Sequence, residues 1–211
     1  MQQRYVANRD VQRFLPFLLP HVRSGMDVLD VGCGVGSIAL DLAATVAPGR
    51  VVGIDADPGQ IEVARASAAE RGIENAEFAI SSVYELPFEG TTFDVVYANA
   101  VLMYVRDQVR ALAQMRRVLR PDGLAAVIDD DLGTVVISPD RPELELAPRL
   151  FERAVAHEGG TLATHDVCAH SCSKPGSRAR KGSPMRRRYT ATCRPRAGLP
   201  SSRSDCSRPR A

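Results

Sequence analysis

The stretch "VLDVGCGVG", Val28 to Gly36, decides the fold. An apolar, strand-like run ends in glycines at 32, 34 and 36, and "SIALDLAATV", Ser37 to Val46, follows with Ile38, Leu42 and Val46 four apart, as on a helix. A strand that turns through glycines into a helix suits a nucleotide-type ligand. Glycine lets the backbone turn tightly and approach a ligand closely, while the helix start presents free N–H groups. In open α/β sheets such ligands sit beyond the carboxyl ends of the strands, where the winding reverses.

Outward from this stretch the same unit repeats. "RVVGID" reads as a second strand, and Asp57-Pro58 supplies an N-cap and a proline at the first helical position for a helix running from Pro58 to Arg71 and stopping at Gly72. "AEFAI" and "FDVVYAN" are strand-like, Gln108 to Leu119 is helical, "RPDG" reads as a turn, "LAAVIDD" as a strand, and Glu143 to His157 as a further helix. Before the first strand, residues 1–24 read as a helical segment with an amphipathic helix expected from Asn8 to Leu19. Alternation of strands and helices over residues 25–160 predicts an α/β domain, Rossmann-like and doubly wound, with a mostly parallel sheet.

Composition separates that body from its tail. The 211-residue chain carries a formal charge of +2, but the stretch from Met1 to Thr164 has 15 arginines, no lysine and 23 acidic residues, a net −8. From His165 to Ala211 there are 12 basic residues against two acidic ones, a net +10. An acidic body repels phosphate backbones, so general nucleic-acid affinity could come only from the tail. Cys33 stands alone in the body, which excludes a disulfide framework there, whereas Cys168, Cys172, Cys193 and Cys206 lie in the tail. The early apolar run "FLPFLLP" is short and broken by Pro16 and Pro20, unlike a signal peptide, and no stretch has the length of a membrane span. A soluble cytoplasmic protein is expected.

Two cofactor classes compete for the glycine loop. Gly34, Gly36 and Ala39 satisfy the dinucleotide pattern G-x-G-x-x-A, which keeps an NAD(P)-dependent oxidoreductase as an alternative. In that class the first glycine directly follows the strand, and counting from Gly32 places Ser37 where glycine or alanine belongs. Asp30, two positions before Gly32, would also repel a pyrophosphate and attract a cation.

With this acid and these glycines the stretch resembles motif I of the class I S-adenosylmethionine-dependent methyltransferases of the small-molecule type. The resemblance extends from about Gly25 to Gly160 through "VVGIDADP", "ELPFEGTTFDVV" and "ANAVLMYVRDQVRALAQMRRVLRPDGLAAVIDDD". It implies S-adenosylmethionine as cofactor and a small-molecule methyl acceptor. It also implies that Asp30 and Gly32 hold the methionine end, Gly34 and Gly36 allow the backbone approach, Asp55 and the adjoining Ala56 serve the ribose side, and Asn99 lies near the transferred methyl. Ser82 stands where the family usually has an aspartate that accepts from the adenine amine; Ser82 and the Val83 N–H are the groups left for that role. A neutral acceptor is weaker than a charged one. The N-P-P-Y type segment expected for amino-group methylation of nucleic-acid bases is absent, and "NAVLMY" occupies its place.

Other residues have plain readings beside functional ones. Asp57 is read as a helix cap, and Cys33 as a small filler, since methyl transfer from a sulfonium needs no covalent enzyme intermediate. Asp129, Asp130 and Asp131 follow the fifth strand, where one carboxylate, taken as Asp129, could orient or deprotonate an acceptor alongside Asn99. Met103 and Tyr104 are candidates to line the acceptor pocket or to belong to the core. No metal site is expected.

The tail, residues 165–211, shows neither a helical nor a strand period. As a non-catalytic nucleic-acid-binding arm it has charge but one aromatic, Tyr189; as a zinc site its cysteines and histidines are irregularly spaced. A third reading is that it is translated out of frame from near Thr164. Codons taken two bases later permit "LLLEAGF" across His170 to Ser177, which resembles the segment leading from the family's last helix into its sixth strand. On that reading the sheet lacks its last two strands and leaves an apolar edge. The nucleotides across codons 155 to 180 check it, and an early stop in the shifted frame would exclude it.

Overall fold

The apolar runs pair side by side in one sheet. The computed structural model of the chain describes residues 11–130, 150, 153–157, 159–160, 178–181 and 188–193. The strands are β1 (Val28–Val31), β2 (Val51–Asp55), β3 (Ala76–Ile80), β4 (Phe93–Asn99), β5 (Leu119–Asp130), β6 (Arg178–Lys181) and β7 (Arg188–Cys193), in the order β3-β2-β1-β4-β5-β7-β6. The first five are parallel; β7 runs antiparallel to both β5 and β6. The chain winds outward from β1 to β3 and then returns to β4 on the other side of β1. The reversal between β1 and β4 opens a crevice at their carboxyl ends.

Helices cover both faces because the strands bury both faces. Val28, Val51, Val95 and Tyr97 pack on one side with Ile38, Leu42 and Val46 of α2 (Ser37–Val46) and Ile61 and Ala64 of α3 (Pro58–Glu70). Leu29, Val31, Val52, Ile54, Val96 and Ala98 pack on the other with Ala111, Met115 and Val118 of α4 (Gln108–Val118). Burying a side chain as fully as Leu29 contributes about 2 kcal/mol. Asp57 caps α3 by accepting from the Gly59 N–H at 2.8 Å, as its place before Pro58 predicts, and Asp107 caps α4 through the Arg110 N–H at 2.9 Å.

The opposite end of the sheet is tied by charge. Arg120 bridges Asp27 and Asp94, and Asp94 also accepts the Asp27 N–H at 2.8 Å, so the starts of β1, β4 and β5 are held together. A crevice beside His21, Met26 and Arg120 lies at this end, away from the glycine loop.

Four expectations change. The sheet does not lack its last two strands: the basic tail supplies β6 and β7, because the outer edge of β5 offers unpaired N–H and C=O groups and "RYTATC" alternates residues of high strand propensity. Within the described residues the amphipathic helix, α1 (Val11–Phe14), stops at Phe14 rather than Leu19, since Pro16 cannot donate and disfavours helix at Leu15; Asn8 to Asp10 lie outside the described residues. "RPDG" is not a separate turn but part of β5, which starts at Leu119 and takes up the extra residues in a register shift between Phe93 and Val95. Of the helix read over Glu143 to His157, residues 150 and 153–157 are helical and the remainder lies outside the described residues. Among the described residues no helix is long and apolar enough to cross a membrane.

Candidate cofactor site

The glycine loop leaves β1 with left-handed backbone at Gly32, Gly34 and Gly36, φ +71°, +55° and +77°. Side chains rarely adopt this conformation, which is why glycine recurs at every second position. The loop is stitched to the end of β2. The N–H groups of Gly32 and Cys33 donate to the Ile54 carbonyl at 2.8 and 2.9 Å, and the Gly34 N–H donates to Asp55 Oδ2 at 2.9 Å. Asp55 Oδ1 accepts from the Asp57 N–H at 3.0 Å. The carboxylate is thus fixed by one bond to each oxygen, and each oxygen keeps acceptor capacity.

Close packing under the loop depends on two more absent side chains. A Cβ on Gly36 would stand 2.8 Å from the Phe78 ring and 3.0 Å from Ala64 Cβ. One on Gly53, in mid-β2, would stand 2.6 Å from the same ring and 2.9 Å from Cys33 Sγ. Gly53 therefore lets Phe78 and Cys33 meet over the strand. A lone glycine inside a strand pattern, as in "VVGID", is the signal in the sequence for such an approach.

Asp30 is buried beneath the loop, 3% exposed, beside its register partners Gly53 on β2 and Tyr97 on β4. Burial first, then the charge of Asp30, keeps the Tyr97 phenol protonated far above the usual tyrosine range. The Cys33 thiol is likewise pushed up, by burial first and then by Asp30 and Asp55. A thiol held protonated is a poor nucleophile, in keeping with the filler reading. Peptide mapping should show Cys33 alkylated by iodoacetamide at pH 8 at least about tenfold more slowly in the folded chain than in urea.

The remaining predicted residues divide by strand alternation. Asp30, Asp55 and Asn99 project on the α2 side of the sheet, where Val28, Val51 and Tyr97 pack. Asp129 follows Ile128, which packs on the α2 side, and so falls on the α4 side with Val127. Asn99 and Asp129 are both buried, but the sheet does not bring them together. Ala56 is exposed just past Asp55, and Ile80, opposite Asp55 on β3, is 55% exposed, an apolar surface beside the carboxylate. The Ser82 hydroxyl is exposed and accepts from the Tyr84 N–H at 3.2 Å; Val83 is half-buried. Met103 is core, 2% exposed, whereas Tyr104 is exposed at the rim after β4. Among the described residues no group of three or more His, Cys, Asp or Glu could hold a metal ion.

Known proteins share this architecture. A methyltransferase-domain family matches residues 22–177. An uncharacterized methyltransferase of Schizosaccharomyces pombe is 33% identical over 138 residues, covering 62% of this chain and 49% of that protein. The demethylmenaquinone methyltransferase of Lactococcus lactis is 34% identical over 122 residues, 57% of this chain and 48% of the enzyme. The chain therefore spans about half the length of these curated relatives. In fold it resembles a methyltransferase from Methanosarcina mazei, TM-score 0.63 at 18% identity over 86% of this chain and 97% of that one. A methyltransferase from Aquifex aeolicus gives a TM-score of 0.60 at 20% identity over 86% and 90%. Since the family match takes in β1 through β5 and the loop between β1 and α2, the chain belongs to the class I S-adenosylmethionine-dependent methyltransferases.

Proposed function

We propose that the chain binds S-adenosylmethionine in the crevice beside the glycine loop and transfers its methyl group to a small-molecule acceptor. The observation that carries this reading is the Asp55 carboxylate, locked to the loop by the Gly34 N–H with acceptor capacity left over at the end of β2. A carboxylate so placed suits a pair of ribose hydroxyls. The buried Asp30 suits an ammonium and disfavours a pyrophosphate. Asn99 fits as well: its Nδ2 is a buried donor without a partner among the described residues, and a ligand oxygen would satisfy it.

Bound S-adenosylmethionine supplies an electrophilic methyl group on a sulfonium whose departure as a neutral sulfide needs no acid. The protein's task is then alignment and exclusion of water. Gly32, Gly34 and Gly36 admit the ligand against the backbone, Asp55 orients the ribose side, and Asp30 receives the ammonium. The exposed Ile80 and Ala56 offer an apolar bed for the base, with Ser82 and Val83 at its edge. Asn99 lies on the acceptor side, and Tyr104 stands at the rim. Asp129, on the other face of the sheet, would act only on an acceptor that reaches round the end of β5.

Two observations favour a small acceptor. Relatives bear the name demethylmenaquinone methyltransferase, that of an enzyme acting on a small molecule, and the acidic body opposes a nucleic-acid backbone. Calorimetric titration of S-adenosylhomocysteine should give saturable binding with a Kd of about 1–100 μM, near −8 to −5.5 kcal/mol, and NAD should give none. Binding of NAD without S-adenosylhomocysteine would reverse the assignment.

A further inference from the structure

The buried phenol of Tyr97 has no part in the chemistry described so far. Tyr97 and Asp30 are register partners on neighbouring parallel strands, and their side chains share the α2 face. Tyr97 is fully buried and Asp30 nearly so. A phenol in that position costs free energy unless its O–H is used. Among the described residues the hydroxyl makes no hydrogen bond of full geometry, but the Asp30 carboxylate lies near enough to accept a looser one and to oppose its ionisation. On the other flank of Asp30, Gly53 contributes no side chain, and Cys33 Sγ packs over that gap. Asp30 therefore sits in a slot under the glycine loop, walled by Tyr97 and by Gly53 with Cys33.

We infer that Tyr97 is a positioning residue for the ammonium of the bound cofactor: its hydroxyl donates toward Asp30 and orients the carboxylate toward the underside of the loop. The inference rests on the cofactor reading above. Tyr97 touches no ligand; it acts through Asp30. The loose contact between hydroxyl and carboxylate is then one that tightens when the carboxylate meets a cation.

The test compares two ligands on the full chain by calorimetry. S-adenosylhomocysteine carries the amino-acid end, whereas 5′-methylthioadenosine keeps the adenosine and thioether without it. Tyr97→Phe should lower affinity for S-adenosylhomocysteine about tenfold and leave 5′-methylthioadenosine within about twofold. Asp30→Asn should lose at least as much for the first ligand, and the double variant should fall no further than Asp30→Asn alone. Because Tyr97→Phe removes a hydroxyl without an ordinary partner, its Tm should be no lower than that of the wild type. Equal losses for both ligands, unchanged binding of S-adenosylhomocysteine, or a collapse of the fold would each overturn the inference. Failure of the cofactor reading looks different, because the wild type itself would then bind neither ligand.

Discussion

Asp55→Ala should abolish measurable binding of S-adenosylhomocysteine, with a loss of at least about 100-fold. Two hydrogen bonds from ribose hydroxyls to a carboxylate are worth about 1.5–3 kcal/mol each, and both vanish with the side chain. The loop suffers too, since the N–H groups of Gly34 and Asp57 lose their acceptor. Asp55→Asn separates these effects. The amide keeps one acceptor oxygen, so the variant should hold the loop in place, show near-native circular dichroism, and still bind at least about tenfold more weakly. Affinity within twofold of wild type in both variants would remove Asp55 from the site.

Gly53→Val should be the most destabilising single change among these residues, lowering the unfolding free energy by about 3 kcal/mol or more. Even the first added carbon would stand 2.6 Å from the Phe78 ring and 2.9 Å from Cys33 Sγ, and valine adds two more in a buried strand. Overpacking of this kind costs about 1–3 kcal/mol where the neighbours can shift. Here Phe78 is held between Gly36 and Gly53, and Cys33 is tied to Ile54 through its own N–H, so neither moves freely. Urea unfolding measures the loss. Combining Gly53→Ala with Phe78→Leu should recover part of what Gly53→Ala loses, and a purely additive double variant would show that the ring is not what resists.

Local chemistry made most of the domain legible. The bounds of α2, β2, β3 and β4 follow from apolar runs and their punctuation, and α3 starts where Asp57-Pro58 says it should. What local patterns conceal is register. That Tyr97 lies beside Asp30, that Gly53 makes room for Cys33 and Phe78, and that Asn99 and Asp129 project from opposite faces are facts about neighbouring strands, fixed only once the sheet pairs. β6 and β7 escaped notice for a related reason. "RARK" is mostly charged, and "RYTATC" alternates Tyr189, Ala191 and Cys193 over only six positions; the pairing of β7 with β5, and of β6 with β7, is what makes them strands. The role proposed for Asp55 rests on the resemblance; its bond to Gly34 is visible only in the structure.

The strand order also bears on synthesis. β1 to β4 pair among themselves within residues 28–99, and every group proposed to hold the cofactor lies in that span. β7, by contrast, reaches β5 across more than 55 intervening residues. On the ribosome the ligand-binding half can assemble while the outer edge of β5 still waits for its partner, and during that interval the edge is open to pairing with another nascent chain. Cofactor present during translation would stabilise the early half without closing that edge. Yield from expression should therefore depend on how promptly the last strands arrive.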